Sequence, residues 1–508
     1  MSITAVLSSP RPLRALRSSF LIAGLLAASS ALAQDLTIKS APQAQTIAIH
    51  NATIHTVSGP DYSGGAIVFE KGRITEILSE QDWKKRAQAP LTGWKLIDAN
   101  GGHVYPGLVG GYTHIGMTEI QAVRATIDFE ENASPITPEV RAATAVNPDS
   151  TIIPVTRSNG VLTVGVFPAG GVISGQVSAI RMEGWTTEEL TMDPSLGIAI
   201  RWPNTRAISA WWNERSEEDQ MKEIRQSLKT ITDAFDAAEA YAKAKDADPN
   251  HPTDLRWEAM RSVLPLRDDS QDPGTDRNKM LRGMVGKDGS PFTGTSVKEP
   301  EQDRVFILAN DVDQITSAVA FALTRKLKPV IVGGRDAALC AGLLKKHDIP
   351  VIVQGVLRMP RKDDAPYDEA YTLPARLHAA GVRFCIATND DTAHERNLPY
   401  NAAMAQAHGL PADAALKAVT LWPAQILGID KEVGSLEVGK AAVLLISDGN
   451  PLEVTTHVKR AFSEGRDMDL SNKQTKLDEK YRERYRQLGL IKDESQGEKE
   501  QAKPVDKQ

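Results

Sequence analysis

The stretch Val104-Tyr-Pro-Gly-Leu-Val-Gly-Gly-Tyr-Thr-His-Ile-Gly116 holds the first residues whose types and spacing could do chemistry. An apolar strand that follows Pro-Gly and ends in His-x-His places two imidazoles on one side, because strand side chains alternate with period two. Two neutral imidazoles so placed suit a metal ion. Here the two positions are Tyr112 and His114. A phenol titrates at about pH 10 and is seldom a zinc ligand, so a single imidazole remains. A second group follows the apolar run Val382-Arg-Phe-Cys-Ile-Ala-Thr388: Asn389, Asp390, Asp391 and, on the same loop, His394. Paired carboxylates at the end of a strand can bind a metal or move a proton; the same pair could cap the next helix. Asp311 and Asp313, behind Arg304-Val-Phe-Ile-Leu-Ala309, are further oxygen donors.

The elements that must position these groups are apolar strand-like runs alternating with helical patterns. The runs Arg304–Ala309, Lys328–Gly334, Ile349–Gln354 and Val382–Thr388 are separated by Ala/Leu-faced helices. This alternation predicts parallel strands, and over residues 105–433 it fits a (β/α)8 TIM-like barrel, with a doubly wound sheet as the alternative. Short alternating runs before it (34–104) and after it (434–470) predict a small β-sandwich domain formed by both chain ends. An insertion near 203–300 interrupts the barrel rhythm. Met221, Ile224, Leu228, Ile231, Phe235, Ala238 and Tyr241 recur at spacings of three and four, which predicts one long amphipathic helix, and a loop over 268–300 follows. Residues 471–508 form a charged tail that begins as a helix. Gly165 to Gly175 is glycine-rich but lacks the spacing of a nucleotide-binding loop, so it reads as a tight turn at the barrel mouth where Ser174 and Gln176 could touch a ligand.

Pro106-Gly-Leu-Val109, the run Gly409 to Gly428 and Gly434-Ser-Leu-Glu-Val-Gly-Lys440 together resemble the amidohydrolase superfamily, in its imidazolonepropionase-like branch. The resemblance implies metal ligands at the carboxyl ends of barrel strands: two histidines from the first strand, one each from the fifth and sixth, and an aspartate from the eighth. Of these, His114 survives on the first strand, the fifth and sixth carry none, and Asn389 or, one residue on, Asp390 stands at the aspartate's place. The implied site is therefore a degenerate one. His114 and Asp390 are its metal ligands, Asp390 and Asp391 its catalytic carboxylates, and Tyr112 and His394 its substrate contacts. One divalent metal, zinc first, or none completes it.

Composition bounds the partners. The chain has 508 residues with a formal charge of -6, and removing Arg11, Arg14 and Arg17 of the leader makes it -9. That balance disfavours nucleic acid and anionic membranes and leaves a small-molecule substrate or ligand, with a homo-oligomer as a further expectation. The arginines precede the short apolar run Phe20–Ala28 and the small residues Ala31-Leu-Ala33, the pattern of a signal peptide over 1–33 and an exported, periplasmic protein. Two cysteines, Cys340 and Cys385, make no disulfide scaffold and lie in no thiol-activating motif. Two functions remain: a hydrolase of carbon–nitrogen bonds other than peptide bonds, and a catalytically silent relative that binds a ligand or partner through the same mouth.

Overall fold

A computed structural model describes residues 37–209, 213–265, 302–360, 364–388 and 392–491. The expected leader, the insertion's loop over 268–300 and the triplet Asn389, Asp390, Asp391 lie outside the described residues. Among those that are described, no helix is long and apolar enough to cross a membrane.

The amino-terminal part contributes strands β1 (Ile47–Ile54), β2 (Tyr62–Glu70), β3 (Arg73–Leu78), β4 (Lys95–Asp98) and β5 (His103–Pro106). The barrel follows with β6 (Leu108–Thr113), β7 (Val161–Val166), β8 (Ile173–Arg181), β9 (Thr191–Arg201), β10 (Arg304–Ala309), β11 (Lys328–Gly333), β12 (Val351–Gln354) and β13 (Phe384–Ala387). The chain then returns through β14 (Leu444–Ser447), β15 (Val458–Ser463) and β16 (Arg466–Asp467).

The two ends share one hydrogen-bonded sheet, in the order β16-β15-β14-β5-β1-β2-β3 with β4 beside β1. The joint between them is β5 against β14, antiparallel from His103 opposite Ser447 to Pro106 opposite Leu444. This sheet curls on itself, so that Phe69 of β2 and Phe462 of β15 meet edge to face at 5.3 Å around a common apolar core. A single rolled sheet therefore stands where a sandwich is expected. Alternation marks one buried face on each strand, and long-range pairing decides that those faces belong to one sheet.

The barrel strands form a second sheet in sequence order from β6 to β13. Its edges approach without pairing directly. Val109 N–H of β6 donates to Val419 O at 2.8 Å and Ile386 N–H of β13 to Ala418 O at 2.9 Å, so residues 418 and 419 bridge the gap and the barrel is nearly closed. The uniform (β/α)8 expectation needs one correction. β8 runs antiparallel to both β7 and β9. Six residues, 167–172, join β7 to β8, too few for the crossover that a parallel neighbour requires. Within them Gly170 and Gly171 have φ of +94° and +54°, and a Cβ there would lie 2.3 Å from Glu131 O and 2.4 Å from Pro135 O. No other residue fits both the turn and the space.

The insertion contains the expected long helix, Glu217–Ala247, which buries Ile224, Ile231, Ala234, Phe235, Ala238 and Tyr241 along one stripe. Ser216 caps it by accepting from Asp219 N–H, and Glu217, Glu218 and Asp219 complement the dipole in its first turn. The charged tail begins as helix Lys473–Gln487, none of whose residues is buried.

Candidate active site at the joint of the first and last barrel strands

Tyr112 and His114 both point into a buried aromatic box at the carboxyl end of β6. The His114 ring stacks on Phe129 with centroids 4.2 Å apart, while Tyr112 packs on Phe167 at 4.6 Å and Phe167 on Phe306 at 5.2 Å. Both ring nitrogens of His114 are engaged. Nδ1 lies 2.8 Å from Phe167 O, and since a carbonyl only accepts, Nδ1 carries the proton. The neutral ring then accepts at Nε2 from the Tyr112 hydroxyl, 3.0 Å away. The phenol thus sits on the lone pair that a metal would use.

The loop beyond β13 supplies a group that the sequence reading passes over. Glu395, in the 3-10 turn Thr392–Asn397, is completely buried where the first and last barrel strands meet. Its Oε2 accepts from Thr388 Oγ1 at 2.5 Å, and the Thr113 side chain also hydrogen-bonds to it. Its Oε1 is buried with no hydrogen-bond partner, and a Cβ on Gly110 would lie 2.8 Å from that atom. Burial raises the carboxyl to about 7, against the opposing pull of the two threonines. Thr113 is the residue between Tyr112 and His114, so Glu395 links Thr388 at the end of the last barrel strand to the first strand. His394, next to Glu395 in the same turn, is exposed. Asp390 and Asp391 lie outside the described residues.

Other candidates are taken by structural roles. Asp311 forms a capping box with Gln314 at the start of helix Val312–Thr324 and pairs with Arg335 at 2.6 Å, and Asp313 pairs with Arg206. As oxygen ligands both are therefore set aside, since each carboxylate already answers a helix terminus or a guanidinium. The Gln176 amide donates to Pro138 O at 3.2 Å and Glu139 O at 3.4 Å, pinning a mouth loop, and Ser174 is buried. Cys340 and Cys385 are buried thiols that burial pushes up, Cys340 to about 11. In the end sheet Asp61, His55 and His103 form a chain of contacts, 2.6 Å from Asp61 to His55 Nδ1 and 2.9 Å between the two imidazoles.

The donor set of the described residues does not fit a metal centre. No group of three or more His, Cys, Asp or Glu side chains among them is arranged to hold an ion. A zinc at His114 Nε2, about 2.0–2.1 Å away, would first have to displace the Tyr112 hydroxyl.

Comparison with known proteins shows what the chain is similar to. Residues 317–470, which carry β11 to β16, match the amidohydrolase family. The chain is similar to the amidohydrolase tasK of Hapsidospora irregularis, 22% identical over 419 residues that cover 77% of this chain and 38% of that protein. The chain therefore spans well under half the length of that curated relative. The fold is similar to the crystal structure of an amidohydrolase from Thermotoga maritima MSB8, with a TM-score of 0.66 at 22% identity, covering 83% of this chain and 99% of that one.

Proposed function

We propose that the chain is a hydrolase of carbon–nitrogen bonds other than peptide bonds, acting on a small amide or cyclic amide. The observation that carries this reading is the amidohydrolase-family match over residues 317–470, within a barrel whose first and last strand ends are tied together at Thr113, Thr388 and Glu395. Active sites of this fold gather at the carboxyl ends of the strands, where Tyr112, His114 and the loop carrying His394 lie. In this reading Asp390 moves the proton, Asp391 stands beside it, and Tyr112 and His394 face the substrate. No step is routed through a metal, because Tyr112 occupies the lone pair of His114. The working form is the exported chain that begins near Gln34.

A second reading has its own observation. Saturation of both His114 nitrogens is what a retired metal site filled by protein would leave, and it favours a silent relative that binds a ligand at the mouth. Two measurements on the purified mature protein separate the readings: metal content after dialysis, and amine or ring-opened product released from a panel of N-acyl amino acids and cyclic amides, with and without added zinc. Turnover that Asp390→Ala abolishes while the fold is kept supports the hydrolase. Absence of any turnover, with zinc neither retained nor stimulating, overturns it in favour of the binding role.

A further inference from the structure

A cleft of about 690 Å³ opens between the mouth loop at Glu139 and the end of the long insertion helix, with Tyr241, His251, Asp254, Arg256 and Trp257 on its walls. Its place on the barrel follows from strand register. Gln176 of β8 holds the carbonyl of Glu139, and the start of β8 pairs Ile173 with Ile200 at the carboxyl end of β9. β7 runs parallel to β6 and ends opposite it, Val166 beside Thr113, so His114 leaves from the same rim. The cleft and the aromatic box therefore open on one face of the barrel.

The charges in the cleft do not balance. Arg256 is held by Asp254 through Nε and Nη2 at 3.4 and 3.2 Å, and Asp254 also caps the following helix by accepting from Arg256 N–H. The guanidinium lies over the Trp257 ring, 5.4 Å from its centroid. That leaves two carboxylates against one guanidinium: Arg256 is hydrogen-bonded to Asp254 and also feels the charge of Glu139, whose Oε2 is buried with no hydrogen-bond partner. Tyr241 and His251 present a second aromatic corner, their rings 5.9 Å apart at 62°, with the phenol turned to Glu258 at 2.8 Å. A cleft with one carboxylate in excess, one of whose oxygens makes no hydrogen bond, attracts a cation among these aromatic faces, which gains a charge-assisted hydrogen bond and ring contact together.

We propose that this cleft is a binding subsite for the positively charged end of a small ligand, an alkylammonium or guanidinium group, with Glu139 as its anchor and Tyr241, His251 and Trp257 as its walls. That this ligand is a substrate rests on the hydrolase reading; the subsite itself does not.

Calorimetric titration of the mature protein with three matched probes tests it: N-acetyl-L-argininamide, neutral N-acetyl-L-leucinamide, and the anionic α-amide of N-acetyl-L-glutamate. The arginine probe should bind at least about 10-fold more tightly than either of the others, and added salt should weaken it. Glu139→Gln should erase that preference by weakening the arginine probe about 10-fold or more while leaving the leucine probe unchanged, and Trp257→Leu should weaken the arginine probe by a smaller factor. Circular dichroism of each variant checks the fold. Equal binding of all three probes, tighter binding of the anion through Arg256, no binding of any probe, or an unaffected Glu139→Gln variant overturns the subsite. Cation-selective binding without turnover of any amide leaves the subsite standing and overturns the hydrolase reading instead. Hydrolysis of amides without charge preference does the reverse.

Discussion

Replacing Glu395 by Gln removes a titrating proton from the joint of the first and last barrel strands while keeping the side-chain shape. The carboxyl is raised from 4.5 to about 7 by burial. Between those values the folded chain holds a proton that the unfolded chain has lost, so stability falls as pH rises through that window and levels off above pH 7. The contribution is fully present below pH 4.5, where both states are protonated. At about 1.36 kcal/mol per pH unit, the span corresponds to about 3 kcal/mol, an order-of-magnitude figure. Denaturant unfolding of the wild-type and Glu395→Gln proteins, run in parallel from pH 4 to 8.5, isolates this group because every other titration is common to both. The wild type should lose about 3 kcal/mol relative to the variant between pH 4.5 and 7, and nothing further beyond. Two pH profiles that stay parallel through this window would mean that the buried carboxyl is not protonated near neutrality, and the account of the joint would fail.

Two further predictions concern buried polar groups. Tyr112→Phe takes the Tyr112 hydroxyl away from the buried His114 Nε2, so thermal unfolding should show a loss of about 1–3 kcal/mol with the fold unchanged. An unchanged melting temperature would show that the hydrogen bond is not made. Arg157 and Glu183, 0% and 1% exposed and 2.5 Å apart, anchor the entering chain, since Arg157 also donates to Thr37 Oγ1 and Glu183 accepts from Ser40 N–H. Arg157→Ala strands a buried carboxylate and should cost about 3–5 kcal/mol, read as a lowered denaturation midpoint and earlier proteolysis at residues 37–40.

Where the sequence is legible, the reason is periodicity. Tyr112 and His114 could be placed side by side because period two and the Pro-Gly entry fix which residues share a strand face, and they do contact each other. The long insertion helix was readable from spacings of three and four over seven apolar residues. The direction of β8 was not, because Ile173–Arg181 is buried on both faces and an apolar run carries no arrow; the six-residue link at Gly170 and Gly171 sets it. Glu395 was hidden for a different reason. In Thr-Ala-His-Glu-Arg-Asn a glutamate reads as surface, yet a 3-10 turn repeats every three residues and so buries Thr392 and Glu395 together while His394 is left outside. The buried Arg157 was equally invisible, since its partner Glu183 lies 26 residues away.

The two readings of the mouth differ in what His114 is for, and the geometry makes that difference measurable. If His114 is a ligand, Tyr112 must swing off Nε2 to admit the ion, and a bound metal should make Tyr112→Phe bind it more tightly, because the competing donor is gone. If His114 is a packed element of the core, the same substitution leaves metal content unchanged and lowers stability alone. Glu395 is tied to Thr113 and Thr388, flanking both halves of the site, and not to His114 itself. Loss of its proton would therefore loosen the contact between the two strand ends without directly changing the imidazole. A pH effect on ligand binding that Glu395→Gln removes but Tyr112→Phe preserves would assign the coupling to that joint, whichever of the two readings the metal analysis favours.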